Sequence, residues 1–452
     1  MRYRIAYWLE RLSVWGLVAL LVTLPFWRHR VLIHRPAEPV FFEFRDVILY
    51  TNDLLWWGAV GAWLLSGLLG RTWTRWRLGP MFLTGPLVGL LLLGAAGIPS
   101  AVDPFFAGYQ TLRLVLLLAL YFLVLNLPLT SGTVAWPLAA GLTVQAVVGV
   151  PQFFLGRSLG LKRMGEVAVK AAWPGAGVVM VGEERWLRAY GMTQHPNLLG
   201  GLVVVMMLVV TGYYLWQSGW RRITLLVALG VGLATALFTF SRSAWLGGLL
   251  GGLVLVAALL WAWRRRQWSP NWPTVALLSA VSLGVVTAFL ISYWPLLRPR
   301  LGLVQQGVEI RSVDARVMQS EAAKVLIWMR PVLGVGLGNY PIALYELAPE
   351  TVAEYPVYQP VHNVLLLSTA ELGPLGGLLW LCLAASPWLA LWLRRRQVWM
   401  EPWWAGVSGA LAALMVVSFF DQYVWSSNQG RLLLWLVLGL WAREWEKSRL
   451  KG

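Results

Sequence analysis

Arg242, Arg316 and His362 lie far apart in the chain, yet together they could do one piece of chemistry. A guanidinium group offers a planar fork of donors to a phosphate and stays charged at physiological pH. An imidazole accepts a hydroxyl proton near neutral pH, which suits a general base. Arg242 stands in the run FTFSRSAWLGG, where two apolar stretches meet with almost no loop, so its charge must sit at or just inside a membrane boundary. An unpaired arginine at the centre of a span costs roughly 2.5 to 3.5 kcal/mol on insertion scales, so a partner is implied. That partner is an anion clamped inside the bundle, an outer lipid headgroup or a structural carboxylate. His362 opens the run VHNVLLLSTAELGPLG, directly ahead of Asn363 and an apolar stretch. Its alternative to base catalysis is an interfacial ring bonded to a loop carbonyl.

The longest polar stretch, 294 to 376, positions two of the three. It begins with Arg298, Arg300, Arg311 and Arg316, continues through PVLGVGLGNY, and ends at His362 and Asn363. In a chain this hydrophobic, a basic segment that stops at a histidine on a membrane boundary suggests a site for an anionic, lipid-carried substrate. A helix is expected to start at Ser312 to Ala315, with Asp314 capping its first turn and Pro331 closing the segment, which puts Arg316 in the first turn. Met318, Ala322, Val325 and Met329 then form one apolar stripe, and Glu321 and Lys324 an ion pair on the wet side. On pattern alone Arg316 could equally be a solvated face charge. Glu371 follows His362 at a spacing that turns it to the opposite helix face, so it cannot orient the ring. His195, in TQHPNLLG, precedes a proline in a first helical turn. His195 and Asn363 read as structural residues or as groups that act through others. Gly334, Gly336 and Gly338 have no βαβ context, so they read as tight turns at the membrane surface rather than a nucleotide cradle. Ser243, Gly247 and Gly251, four residues apart, read as a close helix-packing face.

Of 452 residues, 58% are hydrophobic and 13% charged. Soluble domains run at about 45 to 50% and about 25%, so this is a polytopic membrane protein of all-α class. The net charge of +17 is scattered in short clusters between apolar runs, which excludes nucleic acid as a partner. The single cysteine, Cys382, excludes an intrachain disulfide and a Cys-based metal cluster. With no outer Asp-x-Asp and no His/Cys cluster of metal-ligand spacing, neither a metal nor another cofactor is expected. The first apolar run, after MRYRIAYWLER, lacks a small-x-small cleavage site and is expected to be a retained span.

Runs able to cross about 30 Å of hydrocarbon predict twelve spans. They fall near 12–27, 46–69, 80–98, 112–126, 134–155, 195–215, 223–240, 243–262, 273–292, 362–392, 402–420 and 429–442. The chain thus divides into spans one to nine (1–292), a large outer loop with an amphipathic helix (293–361), and spans ten to twelve (362–452). An even count puts both termini on one side. Arg71, Arg75 and Arg77, Arg221 and Arg222, Arg264 to Arg266, and Arg394 to Arg396 fall on alternate loops and mark that side as cytoplasmic. The opposite loops still carry Arg28, Arg30, Arg35, Arg157, Lys162, Arg163, Arg185 and Arg188, together with Arg298, Arg300, Arg311 and Arg316, which topology does not explain.

The SRSAW element, Arg316 followed by Trp328, Pro331 and GVGLGN, and then His362, Asn363, Glu371, Gly373 and Gly376 resemble, in order and placement, the O-antigen ligase and O-antigen polymerase superfamily. The motifs cover roughly residues 190 to 376, and topology carries the rest. The resemblance implies a metal-independent, inverting glycosyltransferase of GT-C type in the bacterial inner membrane. It would move a glycan from undecaprenyl pyrophosphate to an acceptor hydroxyl, on lipid A core or another glycan, at the periplasmic face. By position, Arg242 and Arg316 correspond to the arginines that hold the pyrophosphate and His362 to the essential histidine; Arg311 is expected to assist. The enzyme is expected to be a monomer among membrane lipids. A polymerase or a protein O-oligosaccharyltransferase would share these motifs. An inorganic anion transporter could also use bundle arginines, but would need inverted repeats and broken midplane helices, and the sequence shows neither.

Overall fold

In lipid a backbone finds hydrogen-bond partners only within itself, so apolar runs of this length fold as helices. The structure is a computed structural model that describes residues 1–35, 39–70, 76–303, 307–352 and 358–451, without the side chains of 307–313 and 450–451. Ten of its helices are long and apolar enough to cross a membrane. They are α1 (Arg2–Thr23), α2 (Thr51–Gly70), α3 (Met81–Gly97), α4 (Pro104–Asn126), α5 (Ser131–Leu155), α6 (Pro196–Tyr214), α7 (Gly219–Phe238), α8 (Arg242–Arg264), α9 (Trp272–Arg300) and, after α10 (Gly307–Met329) and α11 (Tyr340–Leu347), α12 (Val364–Leu393). The last two expected spans fall on α13 (Pro402–Ser418), apolar but only 17 residues long, and, past the short α14 (Tyr423–Ser426), on α15 (Asn428–Lys451), whose final turns are charged. Arg71 and Arg75 lie outside the described residues, as does the Arg311 side chain.

Four details depart from the sequence reading. Short antiparallel hairpins join the helices: β1 (His29–Ile33) with β2 (Val47–Tyr50), and β3 (Val178–Val181) with β4 (Glu184–Leu187). The ninth helix does not stop at 292 but continues to Arg300 through a kink at Tyr293, where Pro295 removes a helical donor. Finally, α10 begins at Gly307, so Asp314 does not cap it and Arg316 lies in its third turn. The expected stripe is also rotated. Gln319, Ala322, Ala323 and Leu326 are buried while Val325 and Met329 are exposed, because the small Ala322 and Ala323 let α10 approach α12.

Close packing fixes the helix ends that carry the site. α13 lies against both α6 and α8. At the α8 contact, a Cβ on Gly251 would stand 2.5 Å from the Gly409 carbonyl, and one on Gly247 3.0 Å from that of Ala413. The glycine run after α10 docks into a break in α12. Gly334, Gly336 and Gly338 all have left-handed φ (70°, 104° and 73°), and the amides of Val335 and Gly336 donate to the carbonyls of Ala370 and Glu371 at 2.9 and 3.0 Å. Those carbonyls lie just before Gly373, whose backbone (φ 73°, ψ −179°) is open essentially only to glycine. Deeper in the bundle, Arg113 bonds Asp53 at 3.0 and 3.1 Å and Asn428 at 2.6 Å, so this buried ion pair keeps its charges partnered.

Candidate active site

Six helix ends converge at one end of the bundle: the starts of α6, α8 and α12 and the ends of α7, α9 and α13. Arg221, Arg222, Arg264 to Arg266 and Arg394 to Arg396 occupy the other end, where Arg265 donates to the Arg396 carbonyl at 3.0 Å. Between the converging ends lies a cavity of about 250 Å³ lined by Arg188, Arg242, Arg300, Arg316, Gln319 and His362, among others. Its described lining contains four arginines and no carboxylate. Guanidinium groups gathered around one small space are suited to hold an anion.

Each arginine comes from a different element. Ser241, whose hydroxyl accepts from the Ala244 amide, caps α8 and makes Arg242 its first helical residue. The preceding Phe240 turns the chain between α7 and α8 with φ 47°. The start of α8 adds the partial positive charge of its unpaired amides to the side of the cavity that holds Arg242. Arg188 is held by the Thr239 carbonyl at 2.6 Å and by Asn197 at 2.5 Å. Asn197 in turn donates to Asp421 at 2.9 Å, tying α6 to the segment after α13. Arg300 closes α9 and is buried. Arg316 projects from α10, one turn before Gln319.

Gln319 defines what His362 can do. Its side-chain oxygen accepts from His362 Nδ1 at 2.7 Å, which leaves the Nε2 lone pair free as a proton acceptor. The Tyr340 hydroxyl donates to the Gln319 carbonyl at 3.0 Å, so the glycine turns and α11 steady the residue that steadies the histidine. Burial pushes the His362 pKa below its ordinary value; Asp421 opposes this and Arg316 adds to it, so the ring is neutral at neutral pH. His195 has the opposite tautomer. Its Nδ1 accepts from the Asn197 amide at 3.1 Å, so its proton is on Nε2. Burial lowers it to about 3, with Arg188, His362, Arg300 and Arg316 adding to the effect. One ring of the pair can take a proton; the other can only donate a hydrogen bond.

The structure therefore brings Arg242, Arg316, His362 and His195 to one cavity. His195 lies on the cavity wall itself rather than behind it. Asn363 does not line the cavity: it caps α12 through the Leu366 amide at 3.1 Å and donates to the Phe419 carbonyl at 3.3 Å. Arg188 and Arg300 stood among the arginines that topology left unexplained, without a role. Asn197, Gln319, Gln359 and Asp421 were missed. Asp421 could have been found as Arg242 was, from a charge in a short link between two apolar runs.

Residues 225–381 match a family model described as O-antigen ligase. The match includes Arg242, Arg300, Arg316, Gln319 and His362 but not Arg188, His195 or Asp421. No curated protein matches the chain. The matched stretch runs from within α7 into α12 and takes in most of the elements that wall the arginine cavity.

Proposed function

We propose that the protein transfers a glycan from undecaprenyl pyrophosphate to an acceptor hydroxyl at the periplasmic face of the inner membrane, with lipid A core as the acceptor of an O-antigen ligase. The observation that carries this reading is the single cavity lined by Arg188, Arg242, Arg300, Arg316 and His362. Arg242 and Arg316 bind the diphosphate, and Arg188 and Arg300 add charge from the far walls. The acceptor oxygen attacks the anomeric carbon from the face opposite the diphosphate. The new glycosidic bond forms as the bond from that carbon to the diphosphate oxygen breaks, and the electron pair leaves with the diphosphate. The hydroxyl proton passes to His362 Nε2, and the configuration at carbon inverts. Guanidinium donors stabilise the growing charge on the leaving group, the role a divalent cation could otherwise fill. His195 Nε2–H is available to bond a substrate oxygen.

The lipid tail has a place to lie. An apolar groove of about 500 Å³ runs between α8, α12 and α13, lined by Leu250, Val254, Trp388, Met415 and Phe419. It ends at Phe419, whose carbonyl is bonded to Asn363, the neighbour of His362. Apolar residues at this level suit a polyprenyl chain entering sideways from the bilayer. The test is glycan transfer by the full chain in reconstituted membranes containing a lipid diphosphate-linked donor. Arg242→Ala and His362→Ala should each abolish transfer while the protein remains inserted and folded; near-normal turnover in either variant would refute its role. Turnover should also survive chelation of divalent cations.

A further inference from the structure

A second, larger cavity shares a wall with the first. About 420 Å³ in volume, it meets the arginine cavity at His195, Asn197, Gln359 and His362, so His362 faces both spaces. Its chemistry is the reverse. The described lining holds Glu43 and Asp421 and no lysine or arginine, and aromatic rings face in from Trp27, Phe41, Phe42 and Phe44. Phe41 and Phe42 are 47% and 37% exposed where they line the cavity. Trp27 and Phe42 stand with ring centroids 6.5 Å apart, with His29 against both, which fixes the platform. Burial raises the Glu43 carboxyl to about 7, with a hydrogen bond from Gln194 opposing, so this group both accepts and donates near neutral pH. Asp421 is 3% exposed and held by Asn197. Flat apolar rings beside carboxyl and amide groups match the two sides of a pyranose: its C–H face packs on the rings and its hydroxyls bond the polar groups.

We propose that this second cavity is the acceptor subsite and that the sugar ring it presents to His362 is uncharged, without a carboxylate or phosphate. The inference rests on the diphosphate reading of the arginine cavity, because only then is the other side of His362 left to the acceptor. Asp421, joined by Glu43 in its ionised form and with no lysine or arginine among the described lining residues, disfavours an anionic sugar here, whereas the neighbouring cavity attracts one. Selection between the two substrates thus follows from charge: the diphosphate goes to the arginines and the neutral ring to the aromatic side.

Isothermal titration of the full chain in lipid nanodiscs tests this. The probes are neutral disaccharides of glucose, galactose, mannose and N-acetylglucosamine, the same sugars oxidised at C6 to uronates, and inorganic pyrophosphate. At least one neutral disaccharide should bind, with its uronate weaker by about tenfold or more. Phe42→Ala should weaken the neutral sugar about tenfold and leave pyrophosphate binding unchanged, and Glu43→Lys should close the gap between neutral sugar and uronate. Arg242→Ala should weaken pyrophosphate alone. The inference is overturned if no neutral member outbinds its uronate, or if Phe42→Ala leaves sugar binding intact. Sugar binding sensitive to Phe42 with no pyrophosphate binding would support the subsite and overturn the diphosphate assignment instead.

Discussion

Replacing Gln319 by Met removes the acceptor that holds the proton on His362 Nδ1 while nearly keeping the shape of the side chain. The bond is 2.7 Å long and Gln319 is only 4% exposed, so water cannot easily take its place. Leaving a buried donor unsatisfied costs about 1 to 3 kcal/mol. That penalty falls on the productive tautomer, so the ring turns over or moves its proton to Nε2, the atom that must accept. At about 1.4 kcal/mol per decade, kcat should fall roughly 5- to 140-fold with the donor KM unchanged. Gln319→Glu is the informative companion. A carboxylate keeps the Nδ1 proton in place but raises the His362 pKa, which in the native protein lies below its ordinary value. The base form exists above the pKa, so the acid limb of kcat/KM should move to higher pH while activity persists at alkaline pH. Full native kcat in Gln319→Met, or an unmoved acid limb in Gln319→Glu, would refute the tautomer account.

Four further outcomes follow from the same structure. Asp421→Asn removes the group that raises the His362 pKa, so the acid limb of the pH–rate profile should shift to lower pH. Arg300→Gln should raise the donor KM in the transfer assay and cut kcat/KM by about tenfold or more, as loss of one charged donor to a leaving group does. Asp53→Ala leaves Arg113 buried beside Asn428 without its carboxylate and should cost about 3 to 5 kcal/mol, read as a lower thermal midpoint in detergent. Gly373→Ala puts a Cβ into the Val332 carbonyl on a backbone with φ 73°; it should lower the thermal midpoint and the yield of folded protein.

Most of the helical architecture was legible because the bilayer imposes one rule on every apolar run, and a long hydrophobic stretch has few other solutions. Arg242 was legible for the same reason: a charge in a link too short to leave the membrane must have a partner. Where the sequence reading erred, the signal was local and the cause tertiary. The buried face of α10 was placed on Met318, Ala322, Val325 and Met329 by hydrophobicity; of these Ala322 is buried, but the face turned to α12 is Gln319, Ala322, Ala323 and Leu326. Gln319 could not be singled out because a glutamine on a polar helix has no periodicity to betray it. His195 and His362 are the same residue type at the starts of two spans; only the partners of Nδ1, the Asn197 amide for one and the Gln319 oxygen for the other, separate the donor from the base. The aromatic cavity was hidden for a different reason. Its rings come from residues 27 to 44 and from Tyr423 and its acids from 43 and 421, and no spacing rule joins positions that far apart.

The most direct test is a cryo-electron microscopy structure of the full chain in a nanodisc with an undecaprenyl pyrophosphate-linked glycan bound. The account predicts diphosphate density within hydrogen-bond reach of the Arg242 and Arg316 guanidinium groups, His362 Nε2 facing the anomeric position, and the polyprenyl tail leaving along α8 and α13. Diphosphate density at the end of the bundle that carries Arg264 to Arg266, or in the aromatic cavity beside Glu43, would contradict it.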